Sequence, residues 1–204
     1  MRRVLMISDS LGLPRLIPEK VEFSETYFSQ LQQRFNDLNF VQLFIGAAKL
    51  PFLYSNSVYY EAYDPDLVFV QSGVVDCAPR AFKQIELAIL KKLRIKASKS
   101  ILSLFRKHRA IRYTSPIQFR KSIRDVQKRF GKDKVYWIAI MPASLEWEKI
   151  VPGITISVNS YNKILLEELG DHLIADDGQI DWLMSDYHHL NISGHRNVFN
   201  RISK

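Results

Sequence analysis

The chain has 204 residues, 47% of them hydrophobic and 25% charged, with eight Gly, eight Pro and one Cys. That is one domain's length with enough apolar material for a core, which excludes disorder as the main state, collagen-like repeats, an intramolecular disulfide and any multi-cysteine metal site. Twenty-nine Lys and Arg against 21 Asp and Glu leave a net charge of +8, which favours anionic partners without naming one.

In chain order, the first element is a short apolar run over residues 4–7, ending at Ser8-Asp9-Ser10 and reading as a buried parallel strand that feeds a loop. The run is too short for a secretory signal and no stretch approaches a membrane span, so the expected location is the cytoplasm. Ser24 is the expected N-cap of a helix with Phe28, Leu31, Phe35 and Leu38 on its apolar side. Strands are expected over residues 40–45, closed by Gly46, over 66–71, closed by Ser72-Gly73, and over 135–140, closed by Met141-Pro142. Ser115-Pro116 opens a helix whose apolar side carries Ile117, Ile123, Val126 and Phe130. A further helix over 159–169 stops at Gly170, a short strand follows over 172–175, and Ser193-Gly194 opens a C-terminal helix. Strands alternating with helices predict one parallel sheet covered on both faces, with the site at the carboxyl ends of the strands.

The charge is local. Residues 91–134 hold sixteen Lys and Arg and two acids, Asp125 and Asp133, a local charge of +14 that leaves −6 for the rest. Within the basic helical segment at about 81–134, Ile85, Ile89, Leu93, Ala97, Ile101 and Phe105 recur every four residues, the mark of an apolar stripe. Three readings compete. The stripe faces the core and the basic back is solvated, or the segment meets an anionic membrane surface or lipid-linked phosphate at the inner face of the membrane, or it serves an anionic substrate such as an acidic glycan. Nucleic acid is the weakest partner, since no nucleic-acid-binding motif accompanies the charge.

The chemistry-bearing residues stand at the two ends. Ser8-Asp9-Ser10-Leu11-Gly12 follows the first strand, and Asp186-Tyr187-His188-His189-Leu190-Asn191 precedes the last helix. A serine hydroxyl becomes a nucleophile when an imidazole takes its proton, and the imidazole needs a carboxylate to hold its tautomer. A serine in the first loop and an Asp/His pair in the last can meet at one edge of a parallel sheet.

Asp9-Ser10-Leu11 together with Asp186-x-x-His189-Leu190-Asn191 resembles the GDSL, or SGNH, hydrolases. The resemblance spans the chain nearly end to end. It implies a flavodoxin-like three-layer α/β/α fold of about five parallel strands in the order 2-1-3-4-5, and a single domain over residues 1–204. It also implies a serine esterase that removes an acyl group, often acetyl, from a small-molecule or glycan ester without metal or organic cofactor. Ser10 matches the nucleophile, His189 and Asp186 its base and orienter, and Ser10 and Gly46 the backbone donors of the oxyanion hole. Asp9, Gly73, Val75, Asp76 and Arg80 are candidates for the substrate pocket. The run from Gly73 to Arg80 also resembles a subgroup associated with bacterial surface-polysaccharide assembly. An acyltransferase would use the same triad.

Two residues depart from the family pattern. Ser8 stands for the glycine of Gly-Asp-Ser-Leu, a mild change beside the turn. Val75 stands for the oxyanion-hole asparagine, and loss of one such donor costs about 3–4 kcal/mol, or roughly 10²–10³ in rate. Either another group donates, with Arg80 and Asn56 as candidates, or the active site is weak, or the chain is a glycan- or lipid-phosphate-binding protein on an esterase scaffold. Among the remaining residues, Asp76 is expected to bridge Arg80, Cys77 to be a small buried residue, the Trp147 and Trp182 rings to serve the core, and His195 to lie on a helix surface. The adjacent His188 and His189 are not expected to face one metal ion.

Overall fold

A computed structural model describes residues 1–95, 98–109, 111–175 and 181–204. Five strands, β1 (Arg3–Ser8), β2 (Asn39–Phe44), β3 (Leu67–Gln71), β4 (Val135–Ile138) and β5 (Leu173–Ile174), form one sheet in the order β2-β1-β3-β4-β5, every pairing parallel. Val4 to Ile7 of β1 are all buried, so both faces of this interior strand are covered. The register is what positions the site. Ser8 lies level with Phe44 on one side and Gln71 on the other, so the loops after β1, β2 and β3 leave the sheet side by side.

The helices are α1 (Tyr27–Arg34), α2 (Leu50–Asn56), α3 (Val74–Cys77), α4 (Gln84–Lys92), α5 (Lys99–Arg109), α6 (Pro116–Phe130), α7 (Leu145–Ile150), α8 (Ile154–Leu169) and α9 (Ile192–Ile202). α1 packs with α9, and α6 packs with α2 and α8. One apolar cluster joins the strands to α1, α6, α8 and α9 through Leu5, Tyr27, Ile123, Trp137, Tyr161 and Val198. No helix among the described residues is long and apolar enough to cross a membrane.

Local chemistry moves several expected boundaries. The cap of α1 is Thr26, whose hydroxyl accepts from Ser29 N; Ser24 lies in the preceding 3-10 turn. Ser115 caps α6 as expected, accepting from Gln118 N. Its buried side is carried by Phe119, Ile123, Val126 and Phe130, whereas Ile117, in the first turn, is 83% exposed. α8 begins five residues earlier than expected, and α9 is capped by Asn191, whose side chain accepts from Gly194 N.

The stripe of the basic segment does not face the core. Ile85 is 70% and Leu93 61% exposed, and Ile89 and Ile101 are exposed as well. Ala97 lies outside the described residues. A period near four residues predicts that a helix has an apolar side; nothing in that period places another element beneath it.

Candidate active site

β1 delivers Ser10 to the carboxyl edge of the sheet. Asp9 caps the 3-10 turn Ser10–Gly12 with its Oδ1 accepting from Leu11 N at 3.0 Å. At the other end of the chain, Asp186 to His189 form a tight turn with Tyr187 at φ 66°, a left-handed conformation that bends the loop back on itself. The bend lets one carboxylate serve its own loop twice. Asp186 Oδ1 accepts from His188 N (3.2 Å) and His189 N (3.1 Å), while Oδ2 faces His189 Nδ1 at 2.6 Å. His189 Nε2 then lies 3.1 Å from Ser10 Oγ. Three side chains separated by up to 179 residues thus form one hydrogen-bonded relay. This network assigns the proton of the neutral ring to Nδ1 and leaves Nε2 to accept from the serine.

The charges are tuned to that use. Burial lowers the His189 pKa below the ordinary imidazole value; Asp186 opposes the shift, and the positive charge of Arg15 adds to it. Burial works to raise the Asp186 carboxyl, but the His189 ring and the two backbone N–H groups outweigh it and hold the group below its usual value. At neutral pH the pair is therefore carboxylate and neutral imidazole, the state a general base needs.

Ser10, His188 and His189 open into a cleft of about 540 Å³ walled by Gly46, Val75, Arg80 and Trp147. No acceptor among the described residues takes the N–H of Ser10 or of Gly46. Ala47, next to Gly46 and also in the cleft wall, sits at φ 58°, another left-handed residue at the site. Of the five residues expected at the pocket, Val75 and Arg80 line the cleft. Asp9, Gly73 and Asp76 are buried and lie outside its lining.

Each of those three has an internal task. Asp9 is fully buried, and burial pushes its carboxyl up to about 7. Gly73 has φ 139°, and a Cβ there would lie 2.5 Å from Ile140, so only glycine fits. Asp76 does not bridge Arg80. Its carboxylate accepts from Leu50 N at 3.1 Å and from the Thr114 hydroxyl, tying α3 to α2, and burial raises its pKa to about 6. Arg80 instead donates to Val75 O at 3.2 Å and stacks its guanidinium over Tyr113.

Asn56 lies at the exposed end of α2, donating to Phe52 O, and is not part of the cleft. His195 is buried, not superficial: it is 1% exposed, its Nδ1 accepts from Tyr27 N, and burial pushes its pKa down to about 4. Cys77 is buried and its thiol is pushed up to about 12. Trp182 is buried, and Trp147, in α7, is buried yet lines the cleft wall. Asp186, His188 and His189 each present a ligand atom within 4.8 Å of the others. Yet His188 Nδ1 lies 2.8 Å from Asp186 O and His189 Nδ1 2.6 Å from Asp186 Oδ2. In these bonds both Nδ1 atoms face acceptors, and His189 Nε2 faces Ser10 Oγ.

The sequence reading missed Arg15, Arg106 and the wall formed by His188 against Trp147, whose rings stack at 5.8 Å. Adjacency to His189 was the available signal for His188. Arg15 and Arg106 carried none, since a lone arginine in a loop or on a basic helix looks like surface.

No protein-family profile matches the chain, and no curated protein does. Solved structures do. The chain is similar to a lipase/acylhydrolase from Enterococcus faecalis, at 14% identity and a TM-score of 0.71, covering 99% of this chain and 93% of that one. A member of the lipolytic G-D-S-L family from Veillonella parvula matches at 12% identity and 0.61, covering 100% and 97%. An acetyl xylan esterase matches at 17% identity and 0.57, covering 98% of each chain. These likenesses define the class by fold: the chain has the three-layer α/β architecture of the GDSL hydrolases over its whole length.

Proposed function

We propose that the chain is a serine esterase that removes an acyl group, acetyl in the first instance, from a carbohydrate ester. The observation that carries this reading is the relay Asp186–His189–Ser10, with contacts of 2.6 and 3.1 Å at the mouth of a cleft. His189 Nε2 takes the proton of Ser10 as Oγ attacks the ester carbonyl. Asp186 holds the imidazole and stabilises the imidazolium. The Ser10 and Gly46 N–H groups, without an acceptor among the described residues, receive the oxyanion. His189 returns its proton to the departing sugar oxygen, the acyl group stays on Ser10, and water, activated by His189 in turn, releases it as the acid. The acetyl xylan esterase among the structures of like fold supports the carbohydrate ester as substrate class.

Val75 is the observation on the other side. Its apolar side chain lines the cleft and brings no donor, as in a protein that binds without turning over. The test is intact-mass labelling with a fluorophosphonate, run beside hydrolysis of 4-nitrophenyl acetate. The expected result is one adduct on the wild type and none on Ser10→Ala or His189→Ala, with kcat falling on the order of 10⁴-fold or more. An unlabelled, folded wild type would overturn the proposal in favour of binding alone. Because His189 must be neutral, kcat/KM falls with acid through its depressed pKa, giving a limb below the ordinary imidazole value of 6.5.

A further inference from the structure

Several arginines of this chain end on carboxylates. Arg109 is 2.6 Å from Glu86, Arg124 is 2.7 Å from Glu168, Arg120 reaches Glu167 and Glu168, and Arg129 is 2.7 Å from Glu61. Each is neutralised by a carboxylate. Arg15, Arg80 and Arg106 are not. All three line the catalytic cleft, and none has an ion pair among the described residues. The Arg15 guanidinium makes no hydrogen bond there either, and Arg106 donates only to Ile150 O at 2.8 Å. The Nε atoms of Arg80 and Arg106 are buried without an acceptor. Burial and the like charge of Arg80 together lower the Arg106 pKa, so these guanidiniums face each other rather than a counter-charge.

Arg106 is shared with a second, larger groove. This groove has a volume of about 780 Å³, lies between α5 and α7, and is lined by Leu102, Leu104, Lys107, Lys149 and Ile150. No Asp or Glu among the described residues lines either cavity. Half-buried guanidiniums without a carboxylate are costly, and an anion from outside removes that cost through charge-assisted, often bidentate hydrogen bonds. Each of the two cavities has the size of a ligand pocket, about 300 to 1,000 Å³, and Arg106 borders both.

We infer that the cleft and its adjoining groove take an acidic glycan ester, an O-acylated oligosaccharide whose carboxylate, sulfate or phosphate groups are bound by Arg15, Arg80 and Arg106 while the acyl ester lies at Ser10. This rests on the esterase reading above and adds the charge of the substrate to it. The cations sit in recesses, where an extended chain of hydroxyls and anions enters; a flat bilayer would engage protruding residues instead.

The test is competition against hydrolysis of the neutral reporter 4-nitrophenyl acetate. The competitors are oligogalacturonate, the same oligomer with its carboxylates amidated, a sulfated and a phosphorylated oligosaccharide, and phosphatidylglycerol vesicles. Expected is competition by at least one anionic oligosaccharide, weakening as salt rises. The amidated oligomer and the Arg15→Gln and Arg106→Gln variants should each compete or bind about 10- to 100-fold more weakly. The anion that competes best identifies the group recognised. Equal competition by the amidated oligomer, failure of all three anionic oligosaccharides, or competition by vesicles alone would overturn the inference. Calorimetric titration of the wild type with the same oligosaccharides separates the two proposals. Arginine-dependent binding without fluorophosphonate labelling would remove the esterase and keep the anion site, and labelling without binding would do the reverse.

Discussion

Helix α6 and the pair α4–α5 have nearly the same composition, aliphatic residues at helical spacing among Lys and Arg, and the fold treats them oppositely. α6 buries Phe119, Ile123 and Val126 against the sheet and α8, and its cations end on carboxylates of neighbouring elements, Arg120 and Arg124 on Glu168 and Arg129 on Glu61. α4 and α5 leave Ile85, Ile89, Ile101 and Leu104 exposed, keep one carboxylate, Glu86, for Arg109, and send Arg106 into the cleft at Ser10. One basic amphipathic helix packs into the core; of the other two, α5 borders the cleft at Ser10 through Arg106. Amphipathicity therefore says that a helix has two sides, and only the neighbours decide what each side is for.

The contrast can be broken by mutation. The largest effect is expected in α6: Phe119→Ala, at a fully buried ring packed against Trp137 and Tyr161, should cost about 3–5 kcal/mol in denaturant unfolding. A cost near that of a surface change would mean that α6 is not the structural member of the comparison. Next comes function at the cleft. Arg106→Gln should weaken anionic competition about 10-fold or more, whereas Arg124→Gln, whose charge ends on Glu168, should leave it unchanged. Equal effects would show that net charge, and not the cleft, attracts the anion.

A smaller effect follows from pH. The Arg124 and Arg120 guanidiniums hold the Glu168 carboxyl below its ordinary value of 4.5. A carboxyl depressed in the folded state contributes stability that is present above the unfolded value and lost as pH falls through the folded one. The gap in melting temperature between wild type and Glu168→Gln should therefore be open at pH 7 and close on acidification below 4.5; a gap insensitive to pH would deny the clamp. The smallest change is expected on α4, where Ile89→Ser should shift unfolding by no more than about 0.5 kcal/mol. A cost like that of Phe119→Ala would mean that α4 is buried in solution, and oligomeric state by light scattering would then be measured.

Much of the fold could be read in advance because its signals are local. The strands announced themselves as short apolar runs closed by turn residues, and the order of the sheet followed from the resemblance carried by Asp9-Ser10-Leu11 and Asp186-x-x-His189. What misled the reading was also local. Ser24 has the chemistry of a cap, yet Thr26 is where the chain first turns helical. Asp76 and Arg80 are one helical turn apart, yet the buried carboxylate goes to Leu50 N and Thr114, distant in sequence. His195 looks like a surface residue of an amphipathic helix until α1 packs over it and supplies the Tyr27 N–H.

Sequence alone determined the alternation of strands and helices, the residue types that a nucleophile, a base and its orienter require, and the concentration of positive charge in residues 91–134. Tertiary structure decided where those properties act. It set Ser10 3.1 Å from His189 across 179 residues, left the stripe of α4 and α5 uncovered, and gave Arg120, Arg124 and Arg129 internal carboxylates while Arg15, Arg80 and Arg106 line an open cleft. The physical reason is range. Propensity and periodicity act over a turn or two of chain, whereas desolvation and charge pairing depend on whatever the fold brings alongside, however far away it is in sequence.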